Sequence, residues 1–199
     1  MSEKLIVSSR RRFLTGALPA GALVCLGCKG LWARPDQASK FAENLGMTTE
    51  EAYRFFYGTF VPVLVHLAKN IGREKLVQEL TKASAENTAQ MITAMAKDLP
   101  ARDMKAFAGL IDGMLASAPY NKALAYEVVE RSDKAYEVRF TQCLPARMWA
   151  EMKAADLGYA LECSTGDAMA KAFNPRMKGA NPKNILKGDG VCVMRVELV

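Results

Sequence analysis

The sequence predicts an α+β domain in which an N-terminal helical part packs with an antiparallel sheet of ββααββ order. Three observations predict it. From Thr48 to about Met114 apolar residues recur three or four positions apart, the period of helices with one buried face. After Pro119 the pattern changes to strand-like runs rich in Tyr, Val and Phe. Those runs come in two pairs with a helical stretch between them, an order that favours an antiparallel sheet covered by helices. The chain has 199 residues, half of them apolar and about a quarter charged, the balance of a globular protein. A core of this size holds without a disulfide framework, so the cysteines are free for other work.

The elements follow in order. Thr48-Thr49-Glu50-Glu51 suits a helix N-terminus, with a threonine cap and early carboxylates. Tyr53, Phe56, Phe60, Leu64 and Leu67 are expected to form its buried face, and Pro62 to kink or divide it, because proline removes a backbone donor and clashes with the preceding turn. A second helix is expected from about Glu74 to Ala96, with Leu76, Leu80, Ala83, Asn87, Met91 and Met95 as its stripe. Leu99-Pro100 ends it, and a third runs from Ala101 or Arg102 to Leu115. Leu124–Glu130 and Ala135–Phe140 read as strands joined by a turn at Arg131-Ser132-Asp133-Lys134. Two helices, Pro145 to Ala155 and Leu157 to Ala172, precede a weaker strand from Arg176 to Ile185 and a final one from Val191 to Val199.

The first thirty residues have a separate character. Ser9-Arg10-Arg11-Arg12-Phe13-Leu14 precedes an uncharged, Gly/Ala-softened apolar stretch to Val24, and it resembles the twin-arginine (Tat) export signal through Arg10 and Arg11. Phe13 to Gly27 has the length of a signal core and is short for a membrane span. The resemblance implies recognition by the Tat translocase and a mature domain in the periplasm or on the outer face of the cytoplasmic membrane. Cys28, after Leu26-Gly27, resembles a lipoprotein acceptor cysteine, whose lipidation would tether the domain to the membrane; the alternative is that Cys25 and Cys28 are small apolar residues of a removed signal. The expected division is therefore a signal at 1–33, a linker at 34–47 and one α+β domain at 48–199, helical over 48–118 and sheet plus two helices over 119–199. Of the formal charge of +6, Lys4, Arg10, Arg11 and Arg12 against Glu3 supply +3, and beyond them acidic and basic residues interleave. That pattern is a solvated surface and predicts no nucleic-acid binding.

Three cysteines remain, Cys143, Cys163 and Cys192, all in the last third. Thiolates attack electrophilic carbon or bind soft metals, and Asp167 stands one helical turn after Cys163. The residues leave two chemistries open: a cysteine/aspartate hydrolytic site, or a metal held by Cys143, Cys163, Cys192 and Asp167 in a non-catalytic accessory subunit travelling with a redox enzyme. Each cysteine also has a plain reading as core filler. His66 and the methionines Met91, Met95, Met104 and Met114 read as packing or surface residues.

Between Val138 and Met194 the run Phe140-x-x-Cys143-Leu144-Pro145, then Leu157-Gly158-Tyr159-Ala160-Leu161-Glu162-Cys163-Ser164-Thr165-Gly166-Asp167, then Phe173-Asn174-Pro175, then Gly188-Asp189-Gly190-Val191-Cys192 is similar to the L-2-amino-thiazoline-4-carboxylic acid hydrolase family. The resemblance implies a small-molecule substrate and hydrolytic opening of a cyclic C=N bond in a sulfur heterocycle bearing a carboxylate. Such a reaction needs a nucleophile and a proton donor. On the matching positions these are Cys163 or Cys192 as nucleophile, Asp167 as acid/base or orienting group, and Asp189 as support, with Arg139 and Lys187 as receivers of the carboxylate. Gly188-Asp189-Gly190 also fits a tight turn before a strand. The cofactor is left open, a thiolate-bound metal being the candidate.

Overall fold

The computed structural model describes residues 46–199; the expected signal with Arg10 and Arg11, the candidate acceptor Cys28 and the expected linker up to residue 45 lie outside the described residues. Residues 47–199 form one unit. Four helices come first: α1 (Thr49–Ile71), α2 (Arg73–Met95), α3 (Met104–Ala116) and the single turn α4 (Tyr120–Ala123). Strands β1 (Leu124–Arg131) and β2 (Ala135–Cys143) form a hairpin. Then follow α5 (Leu144–Glu151), α6 (Ala155–Gly158), a π-helical turn (Tyr159–Cys163) and α7 (Gly166–Phe173), and the chain closes with β3 (Met177–Lys183), a 3₁₀ turn (Ile185–Lys187) and β4 (Cys192–Leu198). The α+β class and the antiparallel sheet are present. The helical stretch between the strand pairs is in more pieces than the two expected helices, because the second is divided at Gly158 and again after Cys163.

The sheet order is β1-β2-β4-β3, with every pair antiparallel. Since β4 inserts between β2 and β3, Cys192 at its start faces Phe140 near the end of β2. One face of the sheet is polar. There Arg195 donates to Glu130, Glu137 and Glu197 at 2.7, 2.9 and 2.7 Å, a solvated cross-strand network of small energetic weight. The other face carries Tyr136, Val138 and Val196 into a core completed by Phe107 and Ile111 of α3, Ile92 of α2 and Phe173 of α7. A second cluster joins Tyr57, Val61 and Ala68 of α1 to Leu76, Met148, Trp149 and Leu157. Among the described residues no helix is long and apolar enough to cross a membrane.

Two expectations about the helices are corrected. The α1 helix begins with the expected threonine, Thr48 Oγ1 accepting from Glu51 N at 3.2 Å and the Glu51 carboxylate from Thr48 N at 2.7 Å. It then runs through Pro62 without dividing. Tyr57 and Val61 before the proline and Ala68 after it pack into the same cluster, and that burial outweighs one lost backbone bond. Of the expected face Tyr53, Phe60 and Leu64 do pack against that cluster, but Phe56 is 62% and Leu67 39% exposed, and Tyr57 and Val61 take the most buried positions. On α2 the inward line is Leu76, Leu80, Ser84 and Ile92, and Ala83, Asn87, Met91 and Met95 face out. Ser84 takes a core position because its hydroxyl donates to Leu161 O at 2.5 Å, satisfying a polar group where an apolar one is expected.

Candidate active site

The three cysteines converge. Cys143, Cys163 and Cys192 together line a pocket of about 240 Å³ at the end of the sheet where β2 leaves and β4 begins, walled by Ile111, Leu115, Phe140 and Met169. All three are free and partly buried. Each comes from a different element. Cys143 ends β2 and stands at the N-cap of α5, where Pro145 occupies the first turn. Cys163 ends the π-helical turn. The thiol of Cys192 accepts from Ile185 N at 3.3 Å.

The π turn sets how Cys163 enters the pocket. Its widened ladder is marked by Ser164 N donating to Tyr159 O, five residues back, at 2.9 Å. It can form where it does because Gly158 lies against the fully buried Trp149 ring: a Cβ on Gly158 would overlap the indole. On the far side Asn181 of β3 donates through Nδ2 to Cys163 O. Backbone contact is equally close between α7 and β3, where a Cβ on Gly179 would run into Gly166 O.

Burial dominates the electrostatics of the thiols. It pushes Cys143 up to about 12 and Cys163 up to about 11, and raises Cys192 as well. Charge on Cys192 would raise both other thiols, so the three lie within electrostatic reach of one another. At neutral pH they are thiols. Cys163 alone has two neighbours working against that rise, a hydrogen bond from the Asn184 side chain and the positive charge of Lys187. Asn184 is only 3% exposed and is fixed three ways: its backbone N donates to Asp189 Oδ2 at 2.7 Å, its Oδ1 accepts from Leu186 N at 2.9 Å, and its carbonyl accepts from Lys187 N at 2.9 Å.

The remaining residues singled out in the sequence separate into those near the pocket and those away from it. Asp189 does not line the pocket; it holds Asn184 while closing the turn before β4, and its charge adds to the rise of the Cys192 thiol. Lys187 stacks its ammonium 3.8 Å from the centre of the Tyr159 ring. Arg139 is on the polar face of the sheet, paired with Glu127 at 2.9 Å, and lines a different depression. Asp167 does not line the cysteine pocket; its carboxylate pairs with Lys171 at 2.7 Å and accepts from Gly179 N at 3.3 Å, tying α7 to β3. Those bonds hold its carboxyl below the usual range. The metal set of Cys143, Cys163, Cys192 and Asp167 is therefore not assembled, and among the described residues no group of three or more His, Cys, Asp or Glu is placed to hold a metal ion.

One group in the pocket went unselected on sequence grounds. Glu162 lines it beside Cys163, and its Oε1 accepts from Tyr57 Oη at 2.6 Å and Trp149 Nε1 at 2.9 Å. Surrounding protein raises its carboxyl, the two donors partly opposing that rise. Its signal in the sequence is a single carboxylate closing the otherwise uncharged run Leu157–Leu161, directly before a cysteine.

A family model described as L-2-amino-thiazoline-4-carboxylic acid hydrolase matches residues 52–196, from the first turn of α1 into β4. The match therefore reaches across the helical half as well as the cysteine-bearing segments. No curated protein matches the chain.

Proposed function

The chain belongs to the L-2-amino-thiazoline-4-carboxylic acid hydrolase family, and we propose that it is an exported hydrolase of that type, opening its heterocycle in the cysteine pocket with Cys163 as nucleophile. The observation that carries this reading is the convergence of Cys143, Cys163 and Cys192 on one cavity. Export rests on the Arg10-Arg11 signal pattern.

Burial raises the Cys163 thiol further than that of Cys192, and the preference for Cys163 rests on its two favouring neighbours, Asn184 and Lys187, where Cys192 has one, Ile185 N, against a raising charge from Asp189. A resting thiol supplies both partners of the first step. Its sulfur forms a bond to the ring carbon between nitrogen and sulfur, the C=N π pair moves to the ring nitrogen, and the thiol proton follows to that nitrogen. The bond from this carbon to the ring sulfur then breaks, and the sulfur leaves as a thiolate while the carbon stays linked to Cys163 as an amidinium. Water adds to that carbon, its released proton neutralising the departing thiolate. Collapse to a carbonyl breaks the bond to Cys163, which recovers its proton. The net change is one water consumed, one carbamoyl group formed and one thiol freed. In this scheme Asp189 positions Asn184, and Asp167 positions α7 against β3.

Purified protein incubated with L-2-amino-thiazoline-4-carboxylate is expected to release one thiol per ring consumed, and Cys163→Ser to lower kcat by at least about 100-fold. Full turnover by Cys163→Ser with an unchanged melting temperature would remove Cys163 from the reaction.

A further inference from the structure

The lining of the cysteine pocket is unbalanced in charge. Its walls are Ile, Leu, Phe, Met and Val side chains with the three thiols and two asparagines, and among the lining residues Glu162 is the single ionisable group other than thiols and the Tyr120 phenol. No arginine or lysine lines it. Arg139 is spent on Glu127 on the other face of the sheet, and the Lys187 ammonium is seated on Tyr159. The pocket lining thus carries one carboxylate and no cation of its own, while the Lys187 charge reaches Cys163 from outside the lining.

Glu162 is also held as a receiving group would be. Tyr57 and Trp149, from α1 and α5, both donate to Oε1, which fixes the carboxylate plane and uses that oxygen's lone pairs. Among the described residues Oε2 accepts no hydrogen bond, and Glu162 retains exposed surface although protein surrounds it. A cyclic amidine brings what this arrangement lacks: N–H donors, attached to the carbon that a neighbouring thiol would attack. A hydrogen bond from such an N–H to a carboxylate is of the strong, charge-assisted kind.

We propose that Glu162 Oε2 is the receptor for the amidine N–H edge of the substrate. This rests on the hydrolase reading for the site but not for the outcome of its test, because binding is read without turnover. Glu162 and Cys163 line the same pocket, so an amidine nitrogen held at Glu162 lies in the cavity that Cys163 also lines.

Calorimetric titration of the full chain with 2-amino-2-thiazoline and with 2-methyl-2-thiazoline, above the pH at which the latter is neutral, tests the assignment. The amino compound is expected to bind at least about 10-fold more tightly than the methyl compound, and Glu162→Gln to weaken the amino compound at least about 10-fold while changing the methyl compound less than about twofold. Equal binding of the two rings to the native protein, or undiminished binding of the amino compound by a folded Glu162→Gln, would overturn the proposal. So would absence of binding by either ring. If Glu162→Gln fails to fold, the comparison of rings on the native protein decides alone. Amidine binding without ring opening would sink the hydrolase reading and leave this inference standing; ring opening by Glu162→Gln with unchanged KM would do the reverse.

Discussion

Burial raises the thiols of Cys143 and Cys163 well above an ordinary cysteine, so their reactivity toward alkylating agents should be suppressed at neutral pH and recovered in strong base. Iodoacetamide labelling of Cys163, followed by peptide mapping, is expected to have its midpoint at about 11. A midpoint near 9 or below would mean that the pocket is far wetter than its lining implies. Glu162 is raised too, and here the sign matters. The folded state holds the Glu162 proton more tightly than the unfolded chain, so stability from this group is complete below its ordinary value of 4.5 and is lost as pH rises through the raised one. Glu162→Gln should flatten that part of the stability profile in urea titrations at a series of pH values; an unchanged slope would contradict the assignment. At this scale the cysteines were legible in the sequence, since three thiols in the last third stand out against a single histidine. Glu162 was not, because its role depends on Tyr57, 105 positions away, and on Trp149, neither of which spacing connects to it.

The element that decides the site is the π-helical turn. A continuous helix from Leu157 to Ala172 is the natural reading of apolar spacing, and a one-residue widening of the ladder leaves that spacing almost intact, so the break after Cys163 could not be read from periodicity. Gly158 is the readable trace of it. Gly158→Ala should cost about 1–3 kcal/mol in chemical denaturation, because a methyl group there must displace the fully buried Trp149 indole. Since the same indole holds Glu162, the substitution should also weaken amidine binding. Stability equal to the native protein would show that the indole yields without cost. The buried faces of α1 and α2 have a similar lesson. Phe56 and Leu67 were natural choices for the core by residue type, but helix direction is fixed by what it packs on, and Tyr57 and Val61 meet Trp149 and its neighbours.

For the molecule as a whole, α2 links the two cores, with Leu76 in the cluster around Trp149 and Ile92 and Ala96 in the one under the sheet. Residues 47–199 should therefore unfold together. Ile92→Ala and Leu157→Ala are each expected to cost about 2–5 kcal/mol and to shift circular dichroism and tryptophan fluorescence transitions equally. Separate transitions for the two probes would show that the clusters fold independently. The class of the fold was legible because a helical period followed by paired strand-like runs leaves few architectures. The insertion of β4 between β2 and β3, which brings Cys192 opposite Phe140 and so toward Cys143, is a matter of strand order that local pattern does not encode. That topology makes the central claim testable in one measurement: acid-quenched turnover of L-2-amino-thiazoline-4-carboxylate followed by peptide mass analysis. The account predicts a peptide carrying the whole ring-opened substrate on Cys163; turnover with the adduct on Cys143 or Cys192, or with no protein adduct at any quench time, would contradict it.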